Sequence, residues 1–220
     1  MRNHSLSGKI RALLAGGFLG LLSLSACATF DNPSDERMSL VHRSRILLET
    51  GKLLAAERLT EGIIARFGPS PFLLNQMAVI REREGEPAMA QRVLTHARHL
   101  YPGVSVLTLN LAAMELASRN PDLARETLKP LLDQKSWPNG FRTLMGRIDL
   151  ETGNLPEAHL FLHEALSRHP DNPLILANMG LLHSRLGLRK KAREDFRRAM
   201  ERSGNSRLRS RIMGLIAANK

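Results

Sequence analysis

The sequence is poor in cysteine and in aromatic residues. Cys27 is the single cysteine among 220 residues, and Phe, Trp and Tyr together make up 4%. One cysteine cannot form a disulfide within the chain, which excludes a disulfide-stapled fold. Aromatic and β-branched residues favour strands, whereas the plentiful Leu, Ala, Arg and Glu favour helices. The composition therefore predicts an all-α protein.

The N-terminal segment has no acidic residue, and its basic residues all come before residue 12. Arg2, Lys9 and Arg11 precede an uncharged run over 12–26, which is the layout of a secretory signal. As a helix this run would be about 22 Å long, short of the roughly 30 Å hydrocarbon core of a bilayer. We therefore predict a cleaved export signal at 1–26 and not a permanent transmembrane helix.

The export signal ends in Leu24-Ser25-Ala26-Cys27, which resembles the bacterial lipobox. This resemblance implies that Cys27 carries diacylglycerol and an amide-linked palmitate after cleavage on its N-terminal side. Ala28 follows the cysteine, which in lipoproteins similar to the enterobacterial type accompanies sorting to the outer membrane. The expected location is the periplasmic face of a Gram-negative outer membrane, with residues 27–36 as the lipidated tether.

Beyond the tether, small residues recur every 34 positions without insertion or deletion. Three series carry the period: Gly51, Gly85, Arg119, Gly153 and Gly187; Ala56, Ala90, Ala124, Ala158 and Ala192; and Ser44, Ala78, Ala112, Gly146 and Gly180. Small residues on two helices let the backbones approach closely, and Gly ends a helix by adopting a left-handed conformation. The predicted unit is therefore helix, turn, helix. Asn172-Pro173 has the pattern of a helix N-cap followed by proline at the first helical position.

This 34-residue pattern resembles the tetratricopeptide repeat family. The resemblance implies an all-α, right-handed superhelical solenoid of about five repeats, predicted at 37–70, 71–104, 105–138, 139–172 and 173–206. The sequence departs from the family at Arg119, where glycine is usual, and it lacks the bulky aromatic residue of each first helix. Residues 207–220 are predicted to form a capping helix through Leu208, Ile212, Leu215 and Ile216.

The resemblance also implies a concave groove lined by the first helix of each repeat. A mixed, largely apolar strip of this kind suits an extended or helical peptide. In this register its centre comprises Val41, Arg45, Asn75, Val79, Glu82, Leu109, Ala113, Leu116, Thr143, Arg147, Leu150, Ala177, Leu181 and Ser184. The Lys and Asn clamp that family members use on acidic C-termini is not present at these positions, which disfavours chaperone-tail recognition.

The net charge of +11 is concentrated near the C-terminus, where 189–220 hold 11 basic residues and three acidic ones. The basic residues of interest are Arg189, Lys190, Lys191, Arg193, Arg197, Arg198, Arg207, Arg209 and Arg211. One interpretation is an electrostatic site for anionic lipid or an acidic partner. The other is the solvated outer face that a terminal repeat requires. Nucleic acid is not an expected partner of an exported chain.

The sequence contains no pattern that indicates catalysis. There is no phosphate-binding loop and no Ser-His-Asp signature. His159 and His163 are spaced i, i+4, and His96 and His99 are spaced i, i+3. Neither pair is accompanied by the additional acidic and histidine residues of a zinc-binding helix motif. We therefore expect no enzyme activity, no metal, no cofactor and no small-molecule substrate.

The segment Ser206-Arg207-Leu208-Arg209-Ser210-Arg211 precedes an apolar helix. It is similar to the Arg-rich segment after the last repeat of tight-adherence (Flp) pilus tetratricopeptide lipoproteins. The hypothesis is a membrane-anchored scaffold for pilus assembly that holds an envelope protein or peptide in its groove. Two alternatives stay open: a type IV pilus pilotin lipoprotein that assists a secretin, and an adaptor of periplasmic murein hydrolases.

Overall fold

A computed structural model describes residues 33–134 and 136–218, apart from the side chains of Arg207 and Ala218. The predicted export signal, Cys27 and the first part of the predicted tether lie outside the described residues. The described part of the chain contains eleven α-helices and no strand. The helices are α1 (Pro33–Glu49), α2 (Leu53–Phe67), α3 (Pro71–Arg83), α4 (Pro87–Leu100), α5 (Ser105–Ala117), α6 (Pro121–Leu132), α7 (Phe141–Thr152), α8 (Leu155–Arg168), α9 (Pro173–Arg185), α10 (Arg189–Arg202) and α11 (Ser206–Ala218).

The first helix includes residues that the sequence predicts to be tether. Residues 33–36 are helical, so a tether that extends to residue 36 is wrong at its C-terminal end. Asp35 and Glu36 lie in the first turn, where their negative charges interact favourably with the helix dipole. Glu36 also forms an ion pair with Arg66 of α2, in which Nη2 donates to Oε2 at 2.7 Å. These interactions extend α1 toward its N-terminus.

The helices form two parallel rows. Consecutive helices pack as five hairpins, and each hairpin packs on the next through its second helix and the following first helix. The first helices α1, α3, α5, α7 and α9 also contact one another along the row, whereas the second helices of neighbouring hairpins do not. The first helices therefore form the inner, concave row of a solenoid, and the second helices form its outer row.

The turns inside the five hairpins share one hydrogen-bond pattern. In the second hairpin the Gly85 amide donates to the Glu82 carbonyl at 3.1 Å, and the Glu86 amide donates to the Arg81 carbonyl at 2.9 Å. Equivalent pairs close the other four turns. This pattern requires a left-handed residue after the first helix, which glycine adopts without strain. Four of the turns have glycine there, and the third has Arg119 at φ 63°.

The periodic small residues lie where paired helices cross. The five alanines of the Ala56 series are completely buried, and so are Ser44, Ala78 and Ala112. A Cβ atom built at Gly146 would lie 2.6 Å from Cγ of Leu162, and one at Gly180 would lie 2.6 Å from Cε1 of Phe196. The predicted close approach of helices is confirmed at Gly146 and Gly180, because there is no room there for a larger side chain.

Polar residues replace part of this apolar contact in the first hairpin. The Gln76 amide donates to Ser44 Oγ at 2.6 Å and to Thr60 Oγ1 at 3.1 Å, and Thr60 donates to the Ala56 carbonyl at 2.7 Å. All three polar side chains are buried. These hydrogen bonds offset part of the cost of burying the groups, while Gln76 Oε1 has no partner among the described residues. The helices α1, α2 and α3 thus meet around a polar centre.

The position that holds a bulky aromatic in the resembled family is mostly charged in this chain. We call its five residues the ladder: Leu47, Arg81, Glu115, Asp149 and His183. Arg81 of α3 pairs with Glu57 of the preceding α2, and Asp149 of α7 pairs with Arg125 of the preceding α6. Ion pairs thus replace aromatic packing between consecutive hairpins.

The last ladder residue finds its partner within its own hairpin. Nδ1 of His183 on α9 lies 2.6 Å from Oδ2 of Asp195 on α10. Burial raises the pKa of the Asp195 carboxyl, and the hydrogen bond with His183 offsets part of that effect. This pair therefore joins the two helices of the fifth hairpin.

The terminal helix α11 covers the apolar end of the solenoid. Ile212 is completely buried against Leu176 and Phe196, and Leu208 and Leu215 pack around it. Asn172 caps α9 by accepting from the Leu174 amide at 2.9 Å, as predicted. In the described ranges, no helix combines the length and apolar character that crossing a bilayer requires.

Replacing Gly180 by Ala tests the close approach of α9 and α10. The added Cβ would overlap the ring of the fully buried Phe196, so we expect the free energy of unfolding to fall by about 1–3 kcal/mol. Gly214→Ala is the matched control, since a Cβ there meets open space within a helix. The control should gain about 0.5–1 kcal/mol. Urea denaturation followed by circular dichroism measures both, and equal stability of the two variants would contradict this packing.

Replacing Arg119 by Gly tests the strained turn. Among the described residues, Arg119 is the only one other than glycine with a positive φ. Glycine removes a steric cost of roughly 1–2 kcal/mol but increases the entropy of the unfolded chain, so we expect a net gain between zero and about 1 kcal/mol. Gly153→Arg places the same side chain at φ 84° in the next hairpin and should lower the melting temperature. A clear loss of stability in Arg119→Gly would show that the turn depends on the arginine.

Candidate peptide-binding groove

A cleft with a volume of about 590 Å³, which we call the groove, lies on the inner row of helices. Its walls come from the first helices α5, α7 and α9, and Arg211 of α11 contributes one edge. Asn139 and Asn172, from the loops before α7 and α9, also line it. The cleft therefore exists only because three consecutive hairpins stack and the terminal helix lies beside them.

Five residues predicted for the groove line this cleft: Leu109, Ala113, Leu116, Thr143 and Arg147. They come from the third and fourth repeats, at the centre of the solenoid. Ala113 is exposed and Leu116 is half-buried, so both present apolar surface to the cleft. Leu109 is only 8% exposed and also packs in the core, so it forms the floor.

Two predicted groove residues are core residues, and their assignment to the groove surface is wrong. Leu150 is completely buried, because Met179 and Leu182 of the next hairpin pack against it. Ala177 is 4% exposed and lies in the apolar cluster that contains Ile212 of α11. The sequence register places both on first helices, but neighbouring hairpins and the terminal helix cover them.

The remaining predicted positions lie on first helices but do not line the cleft. They are Val41, Arg45, Asn75, Val79, Glu82, Leu181 and Ser184. Asn75 Oδ1 accepts a hydrogen bond from Asn110 Nδ2 at 2.5 Å, and Nε of Arg45 lies 3.9 Å from Oε1 of Glu49. The cleft is therefore shorter than the predicted strip, since it spans the third to fifth hairpins only.

Sequence reasoning missed several cleft residues that lie within one helical turn of the predicted ones. They are Val106, Asn110, Ala117, Leu144, Leu174, Ile175 and Asn178. On α5 the lining residues fall at spacings of three, one, three, three and one, which together form a single broad helical face. A wider face around each predicted position would have included Asn110, Leu144 and Asn178, which occupy the same place in three repeats.

Polar groups at the centre of the cleft are held by a local network. Arg147 donates to Glu151 Oε1 at 2.6 Å from Nη2 and to Asn178 Oδ1 at 3.4 Å from Nη1. Nη2 of Arg185 lies 3.7 Å from Oε2 of Glu151. Asn178 is 4% exposed and lines the cleft, where its Oδ1 accepts the hydrogen bond from Arg147. The groove thus combines apolar walls with fixed hydrogen-bonding groups.

A second cleft of about 470 Å³ adjoins the first and is basic. Arg119, Arg147 and Arg211 line it, and Glu151 is the one acidic residue among its lining residues. Neither Arg119 nor Arg211 forms an ion pair with any described residue. The electrostatics of this end of the groove favour an acidic group on a ligand.

The predicted basic C-terminal patch is divided between two places. Arg211 lines the groove, and Arg209 donates to the carbonyls of Met200 and Ser203 at 3.2 Å, which caps the end of α10. The exposed remainder lies on α10: Arg189, Lys190, Lys191, Arg193 and Arg197. Arg198 is half-buried, and the Arg207 side chain lies outside the described atoms. The described residues therefore do not form a single basic patch.

The histidine pairs lie on the outer row of helices. The rings of His159 and His163 are stacked with centroids 5.7 Å apart. Across the described ranges, no group of three His, Cys, Asp or Glu side chains could hold a metal ion.

Comparison with solved structures identifies the fold. PilF of Pseudomonas aeruginosa is 15% identical with a TM-score of 0.65, over 84% of this chain and 89% of that one. PilW, a widely conserved type IV pilus biogenesis factor, is 13% identical with a TM-score of 0.67, over 86% and 94%. YrrB, a tetratricopeptide repeat protein with an unusual peptide-binding site, is 14% identical with a TM-score of 0.52, over 83% and 94%.

These likenesses extend over most of the described residues and over nearly all of the solved proteins. No family model and no curated protein matches the sequence. The chain therefore has the fold of a tetratricopeptide repeat solenoid.

Proposed function

We propose that this chain is a lipid-anchored scaffold on the periplasmic face of the outer membrane that binds a partner protein of a pilus assembly machine. The observation that carries the proposal is the cleft between α5, α7 and α9, which combines apolar walls with oriented Asn and Arg side chains. Such a surface binds a peptide segment and offers no arrangement of acid, base and nucleophile for catalysis.

The chemistry of the cleft indicates the kind of segment that binds. Val106, Ala113 and Leu116 provide apolar contact, and Asn110 and Asn178 can hydrogen-bond a peptide backbone. The adjoining Arg211 favours an acidic residue near one end of the segment. We therefore expect a mixed apolar and acidic peptide segment.

The membrane anchor rests on the N-terminal sequence. The lipobox-like segment ending in Cys27 provides the anchor, and Ala28 favours the outer membrane. Several acyl chains on one cysteine hold a protein stably on a bilayer, whereas a single chain binds reversibly. A groove tethered in this way searches for partners close to the membrane surface.

Pilus assembly is the preferred context for two reasons. The Arg-rich segment before α11 resembles tight-adherence (Flp) pilus lipoproteins, which favours that machine. Likeness to PilW, a type IV pilus biogenesis factor, favours a second candidate, a type IV pilus pilotin. A neighbouring gene for one or the other secretin distinguishes the two candidates. A role as an adaptor of murein hydrolases has no supporting feature among the described residues.

The groove is tested by site-specific photocrosslinking in cells. A photoreactive phenylalanine analogue at Ala113, which is exposed in the cleft, should crosslink to a component of the pilus machine. The matched control position is Leu160, which is 59% exposed on α8 and lines none of the three clefts. Adding Val106→Glu should weaken the crosslink by at least about tenfold, which corresponds to roughly 1.4 kcal/mol. Equal crosslinks from positions 113 and 160 would refute the groove.

The anchor is tested by metabolic labelling with an alkyne analogue of palmitate. The wild-type chain should be labelled and should fractionate with outer membranes, because Cys27 is the proposed site of acylation. Cys27→Ala should lose the label and accumulate as unprocessed precursor, while Cys27→Ala with an unrelated cleavable signal should be soluble in the periplasm. A labelled Cys27→Ala variant would disprove lipidation at this residue, and this result is independent of the groove.

A further inference from the structure

The ladder contains two ion pairs that are equivalent by the internal repeat. Arg81 pairs with Glu57, and Asp149 pairs with Arg125. In both pairs the partners are 24 residues apart, and each pair joins a first helix to the second helix of the preceding hairpin. The charges are reversed between the two pairs, so the fold accepts either sign at either position provided that the partner is opposite.

The interface between these two lacks the second charge. The equivalent residues are Glu115 of α5 and Gln91 of α4, again 24 residues apart. Gln91 donates to Ser118 Oγ at 3.0 Å, and Glu115 forms no ion pair with any described residue. Glu115 is 6% exposed, and its Oε2 atom has no hydrogen-bond partner within the described part of the chain. Asp149 Oδ2 also has no hydrogen-bond partner, but Asp149 Oδ1 accepts a hydrogen bond from the Arg125 guanidinium.

Glu115 and Gln91 both line an open cleft of about 610 Å³ on the side of the second helices. This cleft shares no lining residue with the groove. Ala88, Leu111 and Leu123 give it apolar walls, and Leu123 is 51% exposed. A buried acid beside apolar walls matches a side chain with an aliphatic stem and a cationic head.

Other charged groups surround the site. Arg92, His96 and His99 of α4 line the same cleft, and Arg98 acts on Glu115 from a distance. Burial raises the pKa of the Glu115 carboxyl, whereas a hydrogen bond with Thr127 and the charge of Arg98 offset part of this effect. A cation in direct contact would stabilise the ionised carboxylate of Glu115.

We propose that the cleft between α4, α5 and α6 is a second interaction site, which takes an arginine or lysine side chain of a partner protein onto Glu115. The repeat itself indicates this ligand, because the equivalent interfaces contain an acid and a guanidinium. The inserted head occupies the place of the missing Arg125 equivalent, and its stem packs on Leu111 and Leu123. The site is separate from the groove, so a partner bound there leaves the groove available.

The probe is Nα-acetyl-arginine methylamide, and its matched control is the corresponding citrulline compound, which has the same shape without the charge. The chain from residue 28 onward is titrated at pH 8, and methyl signals of Leu111 and Leu123 are followed by NMR. The arginine probe should shift these signals with saturation, and the citrulline probe should bind at least about tenfold more weakly. Equal binding of the two probes would overturn the proposal.

Two variants locate the interaction at Glu115. Glu115→Gln preserves the shape and should lose the preference for arginine over citrulline, whereas Glu126→Gln, an exposed acid on α6, should keep it. Gln91→Arg supplies the missing guanidinium from within the chain. It should raise the melting temperature and prevent probe binding. Probe binding that persists in Gln91→Arg without any gain in stability would refute the equivalence on which the site rests.

A double-mutant cycle tests whether the chain fills the site itself. Arg92→Gln and Arg98→Gln are each combined with Glu115→Gln, and the free energies of unfolding are compared. Additive effects are expected for Arg92 and at most weak coupling for Arg98, because neither arginine forms an ion pair with Glu115 and the charge of Arg98 acts on it only from a distance. Strong coupling with either arginine would identify an internal partner and would overturn the proposal.

Discussion

Every part of this structure depends on how closely two helices can approach where they cross. The crossing points are occupied by glycine, alanine or serine, and at Gly146 and Gly180 a single added carbon would overlap a buried side chain. This contact sets the angle of each hairpin, and the repetition of that angle every 34 residues curves the stack. The concave row, and hence the groove, follows from a constraint that acts within each hairpin.

The contacts between hairpins have a different character. Where the resembled family places a bulky aromatic, this chain uses charged ladder residues that pair across or within hairpins. Ion pairs at buried and half-buried positions add little net stability, but a wrong partner leaves a charge buried and unpaired. The ladder therefore acts mainly on the order and register of the repeats. Its irregular member, Glu115, lies where that internal pairing is incomplete.

The groove and the cleft between α4, α5 and α6 differ in the chemistry of their lining residues. The groove has apolar walls, oriented amides and arginines at one end, whereas the cleft beside Glu115 has an apolar wall and a buried acid. The two sites have opposite charge preferences and share no lining residue. A scaffold with these two separate surfaces can hold two partners at once.

The sequence by itself determined the helical hairpin, its period and the residues at its crossing points, because these depend on contacts within 34 residues. It also determined the cap at Asn172 and the left-handed turn at Arg119. Only the tertiary structure decided which first-helix residues face the groove. Leu150 and Ala177 are covered by neighbouring hairpins and by α11, and Arg211 reaches the groove from the terminal helix. Such exposure depends on how separate hairpins pack, and a pattern repeated in every hairpin cannot distinguish the positions that a neighbour covers from those left open.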